Sequence, residues 1–510
     1  MGLGFYMKKL RNVLFWSGIF LVILTYIVIK PLENLDEMWN FNVARCIANG
    51  LIPYKDISMI STPLLGFLTA IFLKIFGTEM FITRVLSAVL ATVNLGILYR
   101  ICIKIKIPNA VGKSLILVVM FIMKDYYCLD YNILVMTLGL IILLLEIKSF
   151  EQENKNKKIH IIIGIVSGLA ICTKQSIGLL ISAVVVLNQL FFIRNKESFK
   201  AICKNIVFRI IGIVIPVIIF IGYLLITGAF SYFFDYCILG IKTFSNKISY
   251  SNLLKSDNAT AKIFSIAVPV ILAIAIILNI VLRILNKEDK LLFLTTIYCL
   301  PIFAISYPIS DNIHFFISII PSYVLPFYGI GKALNKIKWS NFKYILEFLE
   351  IATFIFIILF TGYTEIKYRE ELSVLSKYRS LNHFSNIIVD QKLEKMVKDV
   401  DNYIVTSEKD VYILDSNAVL YMIPLDRYNK NYDMFLKGNL GSGGEEKQIS
   451  NIEENSENTR YLILNNNYNL NWQTPKEVIN YIKGRFVKSG TVGIYDIYEK
   501  EQVVEYEPEE

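Results

Sequence analysis

Runs of about 20 apolar residues recur along this chain, the length a helix needs to cross a hydrocarbon core of about 30 Å. In lipid, every backbone polar group must find its partner within the segment, so these runs are expected to be helices. They lie at about 12–30, 80–101, 111–124, 129–148, 159–173, 176–193, 206–228, 263–283, 290–308, 313–331 and 344–362, eleven in all. One further apolar stretch, 63–76, covers about 14 residues, which suits an interfacial or re-entrant helix better than a span. The chain is 55% hydrophobic, and the short alternating segments of an outer-membrane barrel are absent.

Loop charge decides how these helices are threaded. With 63–76 left out of the count and the N-terminus inside, the inner loops hold Arg100, Lys104, Lys106 and Lys113; Lys155, Lys157 and Lys158; Arg194, Lys196, Lys200, Lys204 and Arg209. They also hold Arg283, Lys287 and Lys290, then Lys332, Lys336, Lys338 and Lys343. That is the basic bias of cytoplasmic loops, and counting 63–76 as a span would invert it. Lys8, Lys9 and Arg11 precede the first run, which has no small-residue cleavage site and reads as a retained span. The outer surface then comprises the loop 31–79, turns at 124–130 and 174–175, the loop 229–262, the turn 308–312 and everything after residue 362.

That last portion differs in charge. Residues 363–510 carry 18 Lys+Arg against 25 Asp+Glu, a net −7, which leaves 34 against 18, or +16, for residues 1–362. The basic excess therefore belongs to membrane topology and not to nucleic-acid binding. Strand-like runs at 403–406, 411–414, 461–464 and 492–498 alternate with helical stretches at 387–400 and 474–486, while 438–444 (GNLGSGG) is a loop by composition. The expected architecture is a polytopic α-helical domain over 1–362, with an interfacial helix pair in the loop 31–79, and a small extracytoplasmic α/β domain over 363–510. Seven scattered cysteines and three distant histidines give no metal-ligand spacing. No P-loop or dinucleotide fingerprint follows a strand, so neither cofactor nor metal is expected.

The first outer loop carries the strongest local signal. Asn34 is a good N-cap with Glu37 three residues on, as in a capping box, and Trp39, Val43, Cys46 and Ile47 then recur on one helical face. Gly50 and Pro53 end the helix. Asp36 and Glu37 thus sit in a first turn, where acids oppose the helix dipole. Chemically, a carboxylate at the outer membrane edge can also act as a general base on an acceptor hydroxyl.

Asp36-Glu37, followed by GLIPYKD, STPL, an interfacial helix ending FG, and Arg84 opening the next span, resembles the GT-C superfamily of integral-membrane glycosyltransferases. Within it the pattern is most similar to the polyprenyl-phosphate-dependent enzymes, the protein O-mannosyltransferases and the lipid A aminoarabinose transferase. The resemblance covers most of residues 12–335 and rests on order and placement more than on any one short motif. It implies that Asp36 is the catalytic base of a sugar transfer from a polyprenyl-phosphate donor, on the outer face of the membrane and with inversion. The acceptor would be a glycan, a lipid or a protein.

The resemblance extends to other outer positions. Lys174, in AICTKQSIG, stands where the family commonly has a Lys and would neutralise the donor phosphate; alternatively it is a snorkelling interfacial lysine. Asp130, in KDYYCLDYN, would orient the sugar or the acceptor, or else pair with Lys124; Asp125 is a weaker candidate. Asp311, His314 and Tyr323, in SDNIHFFISIIPSYV, fall at the outer end of the tenth span, where relatives hold the donor phosphate. Arg84 and Lys55 are further phosphate partners. There is no DxD-type metal pair, although some GT-C enzymes use a metal, and no β-trefoil-sized loop such as protein O-mannosyltransferases carry. The tail is rich in Tyr and Asn and contains Trp472, side chains suited to carbohydrate. The competing reading is a transporter or flippase of lipid-linked sugars, and a third is an envelope-assembly scaffold. Frequent Ile, Lys and Asn with an exported tail fit a bacterial plasma membrane.

Overall fold

The computed structural model describes residues 2–32, 35–152, 156–193, 195–243, 248–334, 340–372 and 381–501. Every expected span falls on a helix. These are α1 (Gly2–Val28), α4 (Met80–Lys104), α5 (Asn109–Ile122), α6 (Tyr131–Glu151), α7 (Lys157–Thr173), α8 (Gln175–Leu187), α9 (Lys196–Ile226), and the helices Ala259–Ile284, Lys290–Phe303, Asn312–Ile319 continued by Val324–Leu334, and Ser340–Leu372. Among the described residues seven segments are long and apolar enough to cross a membrane unaided. The remaining spans have shorter apolar stretches, such as Asn109–Ile122 and Lys290–Ser306. The stretch 63–76 forms α3 (Leu64–Phe76), 13 residues long and too short to span. Asn34, expected to cap α2 (Leu35–Ala48), lies outside the described residues.

The α7–α9 contact shows what the small residues are for. A Cβ on Gly164 would lie 2.2 Å from the Arg209 carbonyl oxygen, and one on Gly212 would lie 2.3 Å from that of Ile161. Only glycine lets the two backbones approach so closely. Arg209, counted above as an inner-loop charge, lies instead within α9, because the helix starts at Lys196, before its apolar run. Asn195 and Ser198 cap that start reciprocally. A guanidinium at that depth needs a partner inside the bundle. It finds Glu146 of α6, with two contacts of 2.6 Å, while Asn188 and Tyr298 donate to the same carboxylate at 2.9 and 2.7 Å.

The C-terminal portion builds a four-stranded sheet in the order β1 (Asp410–Ile413), β2 (Thr459–Leu464), β4 (Tyr495–Glu499), β3 (Val487–Val492). β1 and β2 are parallel, and the other two pairings are antiparallel. Residues 403–406, read as strand-like, instead finish the helix Gln391–Thr406. Asp390 caps that helix, and Val397, Val400 and Ile404 line its buried face at helical spacing. Of the apolar residues in 403–406, Ile404 belongs to that face, whereas Val405 is exposed.

This portion does not sit apart from the membrane helices. One apolar core contains Met38, Phe41 and Ala44 of α2 and Met80 of α4 together with Phe384, Ile387, Val419 and Met422. Polar links fasten the same seam. The Arg45 guanidinium donates to the Arg427 carbonyl at 2.9 Å and pairs with Asp426 at 3.3 Å. The Ser58 amide donates to the Tyr428 hydroxyl at 2.8 Å. His383 bridges the Thr78 carbonyl and the Asp426 carboxylate.

Candidate active site

Adjacent residues on a helix point about 100° apart, and this separates the two acids of α2. Glu37 is buried and takes two hydrogen bonds from Arg84, at 2.8 and 3.1 Å. Arg84 also donates to the Lys30 carbonyl at 2.7 Å. The pair clamps α2 to the end of α1 and the start of α4, and neither residue lines the cavity beside Asp36.

That cavity holds about 330 Å³. Its membrane-side wall includes Asp36 and Trp39 of α2, Tyr131 at the head of α6, and Asp311 and His314 at the head of the tenth span. Its opposite wall comes from the C-terminal portion and includes Asn439, Asn471, Trp472 and Gln473. Lys174 stands behind Tyr131, its ammonium 5.3 Å from the ring centroid, and donates to Asn132 Oδ1 at 2.6 Å. Asp130 caps α6, accepting from the Asn132 amide at 2.6 Å. His314 Nδ1 lies 2.8 Å from Asp311 Oδ1, which leaves Nε2 as the ring's other polar atom.

These groups feel one another. Burial pushes the Asp36 carboxyl up to about 6, and the Asp130 charge adds to the rise, while His314 and Lys174 oppose it. Burial also brings Lys174 down to about 8, against the upward pull of Asp130, Asp311 and Asp36. One carboxyl poised near neutrality therefore stands among Lys174, His314 and two further acids. Such an arrangement can accept a proton from a hydroxyl and neutralise a phosphate in the same space.

Of the residues nominated from sequence, Asp36, Asp311 and His314 line the cavity, and Asp130 and Lys174 act on it from just behind. Lys55 is exposed and contributes only its carbonyl, which accepts from Lys430 at 2.6 Å. Asp125 pairs with Lys124 at 3.1 Å near the surface. Tyr323 does not line the cavity and packs its ring against Phe264 at 5.3 Å. Sequence reasoning missed Tyr131, Asn132, Asn439, Asn471 and Gln473 as site residues. The run Asn471-Trp472-Gln473, an indole flanked by two carboxamides, was the available signal. A second cavity of about 500 Å³, between the helices Ala259–Ile284 and Lys290–Phe303, is lined almost wholly by apolar residues, with Arg283 its one charged lining residue. None of the nominated residues lines it.

Residues 61–225 match the family described as dolichyl-phosphate-mannose-protein mannosyltransferase. The matched stretch contains Arg84, Asp130 and Lys174 but neither Asp36 nor His314. Among curated proteins, none matches the chain in sequence. Two solved structures of ArnT from Cupriavidus metallidurans share its fold. The apo form has a TM-score of 0.58 at 11% identity and covers 96% of this chain and 98% of its own. The form bound to undecaprenyl phosphate has a TM-score of 0.57 at 11% identity, with 96% and 97% covered.

Proposed function

We propose that this chain, a membrane glycosyltransferase of the GT-C fold, moves a sugar from a polyprenyl-phosphate donor to an acceptor hydroxyl at the outer face of the membrane. The observation that carries this reading is the Asp36 carboxyl, half-buried in the wall of a cavity beside Lys174, His314 and Asp130 and poised at about 6. The acceptor hydroxyl gives its proton to Asp36 as its oxygen bonds to the anomeric carbon. The bond from that carbon to the phosphate oxygen breaks, and polyprenyl phosphate departs with the electron pair. A single displacement of this kind inverts the anomeric centre. Lys174 and His314 neutralise the phosphate as its charge grows, so their attraction strengthens toward the transition state. The polyprenyl-phosphate donor is further supported by the ArnT structure, which holds undecaprenyl phosphate in the same fold.

The test uses the purified full chain in lipid nanodiscs with polyprenyl-phosphate sugars, following release of the lipid phosphate. Asp36→Asn keeps the shape of the side chain and removes the base, so turnover is expected to fall by about 10²–10⁴-fold. Turnover that survives intact in Asp36→Asn would sink the assignment. A transporter or flippase of lipid-linked sugars would instead need ionisable groups serving the substrate near the middle of the spans. The buried pair Glu146–Arg209 lies toward the expected inner ends of the runs 129–148 and 206–228 and is closed off by Asn188 and Tyr298.

A further inference from the structure

The two walls of the cavity differ in chemistry. The membrane-side wall bears Asp36, Asp311 and His314, with Lys174 and Asp130 behind it. The wall supplied by the C-terminal portion is Met434, Leu436, Gly438, Asn439, Asn471, Trp472 and Gln473, without an ionisable side chain. Lys437, the cation next to it in sequence, is turned away into an ion pair with Glu445 at 3.2 Å.

The loop 471–474 is held from within. Asn471 Oδ1 accepts from the Gln473 amide at 2.9 Å, the Thr474 amide donates to the Asn471 carbonyl at 3.0 Å, and the Gln473 carbonyl accepts from the Lys437 amide at 3.0 Å. Among the described residues, the Asn471 side-chain NH₂ and the Gln473 carboxamide have no hydrogen-bond partner. The loop thus offers a backbone-fixed indole flanked by uncommitted carboxamides to a cavity at the small end of ligand sites, which run from about 300 to 1,000 Å³.

We infer that this wall selects the acceptor, and that the acceptor is a saccharide hydroxyl. This rests on the transferase reading above. An indole face covers the C–H surface of a sugar ring, and carboxamides, which donate and accept at once, match neutral hydroxyls. A phosphate acceptor calls for Arg or Lys on the wall that receives it, and this wall has none. A peptide acceptor calls for an unpaired strand edge or an elongated groove, and the wall is a loop in a compact cavity. Because Lys174 and His314 occupy the opposite side, where the donor phosphate sits, an acceptor resting on Trp472 approaches the anomeric carbon from the side away from the leaving group. Its hydroxyl proton passes to Asp36, the new glycosidic bond forms as the phosphate bond breaks, and atoms and charge balance without a further reactant.

The experiment presents the full chain, supplied with polyprenyl-phosphate mannose or polyprenyl-phosphate glucose, with three acceptors: an alkyl glycoside, a Ser/Thr-rich peptide and a phosphorylated glycolipid. The alkyl glycoside is expected to take up the sugar and the other two are not. Trp472→Ala is expected to raise the KM for the glycoside about tenfold, the equivalent of about 1.4 kcal/mol for a lost aromatic contact, with kcat little changed and Trp472→Phe restoring most of the loss. The inference is overturned if the peptide or the phosphorylated glycolipid is glycosylated and the glycoside is not, or if Trp472→Ala shifts only the donor KM. Failure to break down either donor, with any acceptor or with water, would overturn the transferase reading itself, and this inference with it.

Discussion

At the scale of single residues, Asp36 and Lys174 are shifted toward each other by the same burial. Asp36 must be ionised to take a proton, so the rate should fall about tenfold per pH unit below about 6, where its carboxyl titrates. Lys174 must be protonated to neutralise a phosphate, so donor binding should weaken above about 8, where its ammonium is lost. The expected profile of kcat/KM is a bell between those values, measured in nanodiscs of constant composition. The two limbs belong to the interacting cluster as a whole. Lys174→Arg separates them, because a guanidinium stays charged throughout: the alkaline limb should vanish and the acid limb remain. An unchanged alkaline limb in Lys174→Arg would assign it elsewhere. Asp36, Lys174 and His314 could be nominated from the sequence, since charge counting assigns all three to the same expected surface. Their convergence with the indole and amides of residues 439–473 was not legible there, because contacts between residues hundreds of positions apart leave no mark on local periodicity.

Among the elements, α2 has the most to hold together within 14 residues. Helical punctuation made it visible in advance, down to its stop at Gly50, which has a φ of 94°. The division of labour within its first turn was hidden, because Glu37 finds Arg84 at a separation of 47 residues. Arg84→Ala would leave a buried carboxylate without its partner, at a cost of about 3–5 kcal/mol. The expected result is a lower thermal midpoint and less folded protein, with the donor KM of the folded fraction little altered. A raised KM in a fully stable variant would return Arg84 to the phosphate site. The helix Gln391–Thr406 holds the opposite kind of acid. Burial pushes Asp401 up to about 7, and its Oδ1 has no hydrogen-bond partner among the described residues. A carboxyl raised in the folded state binds its proton more tightly there than in the unfolded chain, so ionising it destabilises the fold as pH rises from about 4 through about 7. Asp401→Asn should therefore stabilise the protein by about 1–3 kcal/mol at pH 8. That gain should fade as pH falls toward about 3, where the carboxyl is protonated in both states of the wild type. Thermal unfolding of both proteins at the two pH values checks the sign.

Over the whole molecule, the charge split between residues 1–362 and 363–510 marked the C-terminal portion off from the membrane helices, and the apolar runs announced those helices. Neither revealed that the two parts share a core. Phe41 and Ala44 look like one face of a surface helix when read alone, yet both are fully buried, packed in one cluster with Phe384, Val419 and Met422. If α2 supplies the base, as proposed, the C-terminal portion that covers its other side holds that base in place. Removing residues 373–510 would strip the cover from Met38 and Phe41, open the Arg45 and Ser58 contacts, and delete the wall that carries Trp472. The truncated chain is expected to lose turnover entirely and to expose α2 to proteolysis, although the spans remain inserted. Phe41→Ala probes the same coupling without deleting anything: loss of a buried Phe costs about 3–5 kcal/mol, and it should lower the thermal midpoint together with activity. If the C-terminal portion served only to capture acceptor, the truncated chain would still hydrolyse donor at the wild-type rate, and Phe41→Ala would leave turnover untouched in the folded fraction. Donor hydrolysis by the truncated chain, set beside limited proteolysis of α2, therefore decides whether the cover on Asp36's helix is part of the catalytic machinery or an appendage to it.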